Sequence, residues 1–136
     1  GYGFVCIDHE GDAICRYLNE NGISAAYLNY RIAPYKHPVM EEDARRAIRL
    51  IRYNADKWGI DPEKIGTMGF SAGGHLAGSF GTRAMGWAKF ALPKPGALIL
   101  TYPVVTMGPL THPGSRNFLL GPEPTDQEIV KIMIQG

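Results

Sequence analysis

Cysteine is scarce, with only Cys6 and Cys15 in 136 residues, and the pair shows neither a C-x-x-C motif nor any metal-ligand spacing. Both are expected to serve as small apolar fillers of a core. No apolar run approaches the ~20 residues that span a bilayer. Neither sign of charge is in excess, since 14 Lys and Arg face 13 Asp and Glu for a net charge of +1. That balance gives no electrostatic footprint for nucleic acid or an acidic membrane surface. Internal repeats and low-complexity segments are absent. So is the G-x-G-x-x-G spacing of a dinucleotide site, although Gly66, Gly69, Gly73 and Gly74 cluster. The start, Gly1-Tyr2-Gly3-Phe4, has neither an initiator methionine nor the charged opening of a signal peptide, and it reads as the middle of a loop. The compartment is therefore left open.

What remains is an ordinary globular composition, 45% hydrophobic and 20% charged, with the length of one domain over residues 1–136. Helical and strand-like stretches alternate. Asp8 is expected to cap a helix reaching about Asn21, with Ile14, Tyr17 and Leu18 on one face and Gly22 as its stop. Ile23–Tyr30 reads as an apolar strand and Arg31–Pro38 as a loop. The spacing of Ala44, Ala47, Ile48, Ile51, Ala55 and Trp58 predicts a helix from Val39 to about Trp58. Asp61-Pro62-Glu63 is a turn. Lys64–Phe70 is a short apolar strand, followed by a helix over Gly73–Met85. Ala97–Tyr102 is another strand, Pro103–Arg116 a surface loop, and Thr125 with Glu128 a capping box for a last helix reaching about Gln135. Strands separated by helices imply an α/β fold: a mostly parallel sheet in a three-layer α/β/α arrangement.

The most informative segment is Gly69-Phe70-Ser71-Ala72-Gly73-Gly74, one serine between glycines where a strand turns into a helix. Gly69 and Gly73 are expected to remove side chains that would collide across so sharp a turn. Ser71 is then held out above the strand ends, and the Ala72 N–H, at a helix N-terminus, can face a developing oxyanion. Chemistry in parallel sheets collects at the carboxyl ends of strands. Arg31 and Tyr102-Pro103 follow two other such ends. Tyr102 is thus a candidate for lining an acyl or alcohol pocket, with packing against the sheet edge as its alternative.

Other clusters read as structural. Asp8, His9 and Glu10 are consecutive on a helix and point apart, so they suit a helix start better than a metal. Glu41, Glu42, Arg45, Arg46, Arg49 and Arg52 form a charged, solvated face with favourable Glu41–Arg45 and Glu42–Arg46 spacings.

Three blocks carry a family resemblance: Gly1-Tyr2-Gly3-Phe4 with Asp8-His9-Glu10-Gly11; Asn29-Tyr30-Arg31-Ile32-Ala33-Pro34; and Gly69 through Ala77. On these the chain resembles the α/β-hydrolase esterases and lipases related to hormone-sensitive lipase. The likeness is to bacterial acetylesterases and to feruloyl or acetylxylan esterases. The resemblance implies a serine ester hydrolase without metal or organic cofactor, acting on a small-molecule or polysaccharide-linked ester.

It further implies that Gly1 matches the last glycine of an oxyanion triplet, so that Gly1, with the Tyr2 N–H, complements Ala72. The earlier glycines and the strand feeding them are absent. In the family that strand lies between those matching Ile23–Tyr30 and Lys64–Phe70. The family order is serine, acid, histidine. Here Glu123, Asp126 and Glu128 follow Ser71, but no histidine follows them, and His112 precedes all three. His75, one turn beyond Ser71, is expected to pack or hydrogen-bond rather than act as base. The chain therefore resembles the N-terminal two-thirds of a catalytic domain, an incomplete α/β-hydrolase fold whose acid and base belong to a missing C-terminal portion. Two rivals remain: a serine peptidase of the prolyl-oligopeptidase kind, and a non-catalytic binding module on the same fold.

Overall fold

The computed structural model describes residues 1–82 and 94–134. A π-helical stretch, Ile7–Asp12, runs directly into α1 (Ala13–Glu20). After an irregular segment come α2 (Val39–Tyr53) and the single turn α3 (Ala55–Trp58). Strand β1 (Gly66–Phe70) leads into α4 (Ser71–Thr82), and β2 (Ala97–Thr101) follows. Two short helices complete the order, α5 (Pro113–Leu119) and α6 (Asp126–Ile132).

β1 and β2 pair in parallel, with Gly66 opposite Ala97 and Phe70 opposite Thr101. A parallel pair needs a crossover, and α4 begins that connection. The helix lies on the sheet face carrying Leu98 and Leu100. A Cβ on Gly81 would strike Leu98, and one on Gly78 would meet Leu100 at 3.2 Å. Small residues on α4 therefore let helix and sheet approach closely. On the opposite sheet face Met68 and Ile99 are exposed.

The core gathers Tyr2, Met40, Ala44, Ile48, Ile65, Ala72, Leu76, Met107, Leu119 and Ile132. Met40, Ala44 and Ile48 are four residues apart on α2, one stripe of a helix that packs on α4. At the start of α2, Asp43 receives a fork from Arg31: Nη2 donates to Oδ1 at 2.7 Å and the Arg31 backbone N–H to Oδ2 at 2.9 Å. These bonds fasten the 29–35 segment to the helix. They also hold the Asp43 carboxyl below its ordinary range, the Arg31 side-chain bond being the largest cause.

Several sequence expectations are corrected. Ile23–Tyr30 belongs to no ladder, because a strand is defined by its partner and β1–β2 is a two-stranded sheet among the described residues. Ile23, Tyr27 and Leu28 are exposed there. Asp8 does not cap: the helical run starts at Ile7, Cys6 takes the N-cap position, and no side chain caps it. Cys6 is exposed and Cys15 only half-buried, so neither fills a core; both lie on or beside the outer helices, where α1 has no buried residue.

The Val39–Trp58 helix breaks at Asn54, whose side chain donates to the Leu50 carbonyl. The Pro103–Arg116 loop gives way to α5, capped by His112 Nδ1, which accepts from the Ser115 N–H at 3.1 Å. Glu41 is buried rather than solvated and is paired with Arg45. The Thr125–Glu128 capping box forms as expected, but α6 ends at Ile132. Gln135, like the 83–85 end expected for the elbow helix, lies outside the described residues.

Because the folded Asp43 carboxyl sits below its unfolded value, its contribution is present above the unfolded pKa of about 3.9 and is lost as pH falls through the folded one. Asp43→Asn in the full-length protein is therefore expected to lower the urea midpoint at pH 7. The gap from the parent should close below about pH 4. A gap that is unchanged down to pH 3 would contradict the pairing.

Candidate active site

At the β1–α4 junction Ser71 has φ +51°, in the left-handed region that a side-chain-bearing residue adopts only under constraint. The constraint is local. A Cβ on Gly69 would overlap the Gly73 carbonyl, and one on Gly74 would come within 2.9 Å of Pro103. Gly73, in contrast, has room: its nearest neighbour would be the Tyr30 hydroxyl, 3.9 Å away. The sequence expectation that Gly69 and Gly73 flank the turn for one reason is thus corrected. Gly69 and Gly74 make the close approaches, and Gly73 contributes its carbonyl. The Val104 N–H donates to the Ser71 carbonyl at 3.1 Å, tying the bend to the segment after β2.

Ser71 itself is half-buried, whereas Ala72 is fully buried against the core. As a first-turn amide of α4, the Ala72 N–H has no intrahelical acceptor. Tyr102 follows β2 as Ser71 follows β1, one step past the Phe70–Thr101 pair, and it too is left-handed, at φ +38°. Its ring lies 5.8 Å from that of Phe70, and its hydroxyl donates to Glu10 Oε1 at 3.1 Å. It remains 64% exposed.

The Gly1–Tyr2 segment is gripped from three sides. Tyr30 O–H donates to the Gly1 carbonyl at 3.1 Å, and the Ala33 N–H donates to the Tyr2 carbonyl at 2.9 Å. The Tyr2 hydroxyl lies 2.6 Å from His75 Nδ1 on α4. Tyr30 is pushed up to about 12, chiefly by burial and secondarily by Glu10 and Cys6, so its hydroxyl keeps the proton it donates. Tyr30 therefore joins the Gly1 segment to the neighbourhood of Gly73. In the sequence Tyr30 ends an expected strand and stands in a motif, and neither its grip on Gly1 nor the Tyr102–Glu10 bond is legible there.

Three of the four histidines have partners elsewhere in the fold. His75 is buried, with Nε2 2.7 Å from the Ile132 carbonyl. His112 caps α5, His37 lies 3.8 Å from Glu41, and His9 is exposed on the π-helical stretch. Among the described residues, no three His, Cys, Asp or Glu side chains gather to hold a metal ion, and no helix is long and apolar enough to cross a membrane.

A family model described as BD-FAE matches residues 3–87. The chain belongs to the BD-FAE family and has the α/β-hydrolase fold in part. Over 96% of its length it is 36% identical to endo-1,4-beta-xylanase B of Butyrivibrio fibrisolvens, covering 22% of that protein. It is 35% identical to the acetylxylan esterase of Xylanibacter ruminicola, over 79% of this chain and 21% of that one. The solved acetyl ester-xyloside bifunctional hydrolase from Caldicellulosiruptor lactoaceticus superposes with a TM-score of 0.86 at 41% identity, over 96% of this chain and 50% of that one. The BD-FAE chain thus spans about a fifth of these curated relatives and half of this solved structure.

The glycine contacts generate a contrast. Gly69→Ala in the full-length protein is expected to cost on the order of 3 kcal/mol or more, because backbone must move. Gly73→Ala should stay within about 1 kcal/mol of the parent, since its Cβ meets only open contact and alanine suits a helix. Chemical denaturation measures both. Equal losses at the two positions would contradict this account of the bend.

Proposed function

We propose that the protein is a serine carboxylic ester hydrolase that removes small acyl groups, acetate foremost, from polysaccharide-linked esters of the acetylated-xylan kind. The observation that carries this reading is Ser71 at φ +51° on a strand-to-helix bend, half-exposed and followed by a helix N-terminus. The names of the relatives support the ester: an acetylxylan esterase and an acetyl ester-xyloside hydrolase. They favour it over the peptide bond of a prolyl-oligopeptidase-like enzyme and over a module that only binds.

In this mechanism Ser71 Oγ attacks the ester carbonyl carbon while a histidine takes its proton. The Ala72 N–H, with the amides of Gly1 and Tyr2, stabilises the oxyanion of the tetrahedral intermediate; one such donor is typically worth about 10²–10³-fold in rate. The C–O bond to the alcohol then breaks, the histidine returns its proton to the leaving oxygen, and water hydrolyses the acyl-serine. Tyr102, exposed beside Phe70, lines the entrance for the acyl or alcohol group. The acid and the histidine come from residues of the full-length protein outside this chain. No metal or organic cofactor takes part in these steps.

Ser71→Ala in the full-length protein should lower hydrolysis of p-nitrophenyl acetate by about 10⁴-fold or more and abolish labelling by a fluorophosphonate probe. Turnover retained by that variant would sink the assignment. Cleavage of peptide reporters in preference to acetyl esters would redirect it.

A further inference from the structure

His75 is the one histidine fully enclosed by the fold, 2% exposed, and the proposed chemistry makes no use of it. Its ring bridges two partners. Nε2 lies 2.7 Å from the Ile132 carbonyl at the end of α6, and Nδ1 lies 2.6 Å from the Tyr2 hydroxyl. A carbonyl only accepts, so Nε2 carries a proton. In the neutral ring Nδ1 is then the acceptor and the Tyr2 O–H the donor. The two rings also meet edge-on, with centroids 5.9 Å apart at 84°. Both nitrogens are thereby occupied, and His75 is not free to take the proton of Ser71.

The partners give the bridge its meaning. Tyr2 is 1% exposed and adjoins Gly1. His75 stands four residues past Ser71, one turn along the same helix. The bond therefore runs between the segment assigned to the oxyanion and the helix that begins at the nucleophile. Tyr30 and Ala33 hold the carbonyls of Gly1 and Tyr2 from the other side. The Tyr2–His75 bond ties this segment to α4. We propose that His75 is a positioning residue: through the Tyr2 hydroxyl it fixes the distance between the Gly1–Tyr2 amides and Ala72, and so the size of the oxyanion site. This rests on the ester-hydrolase reading above. Tyr2 and His75 are buried, so the bond acts on substrate only through the amides it places, and those amides matter most when the carbonyl oxygen carries full charge. Loss of the bond therefore falls on the transition state, whose oxyanion needs its donors in place.

The test uses full-length protein and three substitutions. Tyr2→Phe deletes the hydroxyl and keeps the ring; His75→Asn keeps an acceptor near the Nδ1 position; His75→Leu keeps neither. For p-nitrophenyl acetate, Tyr2→Phe should lower kcat about 10–100-fold, the scale of a misplacement near 1 Å, with KM within about twofold. Phenylboronic acid, which mimics the tetrahedral state, should bind more weakly by a similar factor. Adding Tyr2→Phe to His75→Leu should bring no further loss, as expected of residues acting through one bond. His75→Asn should retain more activity than His75→Leu.

A folded Tyr2→Phe variant with kcat within about threefold of the parent would overturn the proposal. So would a loss confined to KM, or losses that multiply in the double variant. Should His75→Leu fail to fold, Tyr2→Phe and His75→Asn decide the matter by the same kcat and boronate readouts. Ser71→Ala, assayed in parallel, separates the two layers. If it is inactive while Tyr2→Phe is unimpaired, the positioning role alone falls. If Ser71→Ala still hydrolyses the ester, the underlying reading falls with it.

Discussion

An L-residue held at φ +51° resists its own conformation by about 1–3 kcal/mol, so Ser71 stays there only while its surroundings forbid relaxation. Three contacts do so, and they come from different parts of the chain. The absent side chain of Gly69 lets the Gly73 carbonyl fold back across the turn. Pro103 closes on Gly74 from beyond β2, and the Val104 N–H takes the Ser71 carbonyl. The ladder from Gly66–Ala97 to Phe70–Thr101 fixes where Pro103 and Val104 arrive. The bend is therefore a property of the sheet, not of six residues alone.

A second set of contacts organises the segment facing that bend. Asn29 to Pro34 is irregular backbone, yet Tyr30 and Ala33 reach out of it to hold Gly1 and Tyr2. Irregular backbone positions other groups only if it is itself anchored. Arg31 anchors it through the fork to Asp43 on α2, while its guanidinium also lies 5.4 Å over the Tyr35 ring of the same segment. The tyrosine-arginine-x-alanine-proline run thus has a physical account residue by residue: Tyr30 and Ala33 grip, and Arg31 holds the gripping loop to the core helix.

How much of this was legible in the sequence follows from how local each requirement is. The bend was legible because glycine at fixed offsets from one serine answers a steric demand within a few residues. The capping box at Thr125–Glu128 is local in the same way. Ile23–Tyr30 was misread because apolar composition describes a strand's surface and not its partner. α5 was missed because its cap is an imidazole, outside the usual set of short oxygen-bearing caps, and because Pro113 reads equally as a loop residue and a first helical position. The cysteines were misplaced because composition does not say which helix faces outward. Among the candidate site residues, Ser71 and Ala72 follow from the motif, and Gly1 and Tyr2 from family likeness. The Tyr2–His75 bond joins positions 73 apart, and no periodicity announces it.

Tyr102 brings these considerations together. A bulky aromatic at φ +38° is more strained than a serine, and no glycine beside it relieves the turn. Sheet-edge packing alone gives no reason for such a conformation, since a tyrosine continuing β2 in extended backbone would also pack against Phe70. The left-handed turn instead takes the side chain out of the alternation of the strand and to the end where Ser71 leaves β1. There its hydroxyl meets Glu10 while its ring stays open to solvent. Neighbouring strands that break in the same way at the same register step direct two side chains to one edge. The left-handed turns at Ser71 and Tyr102 thus bring both residues to the carboxyl end of the two-stranded sheet.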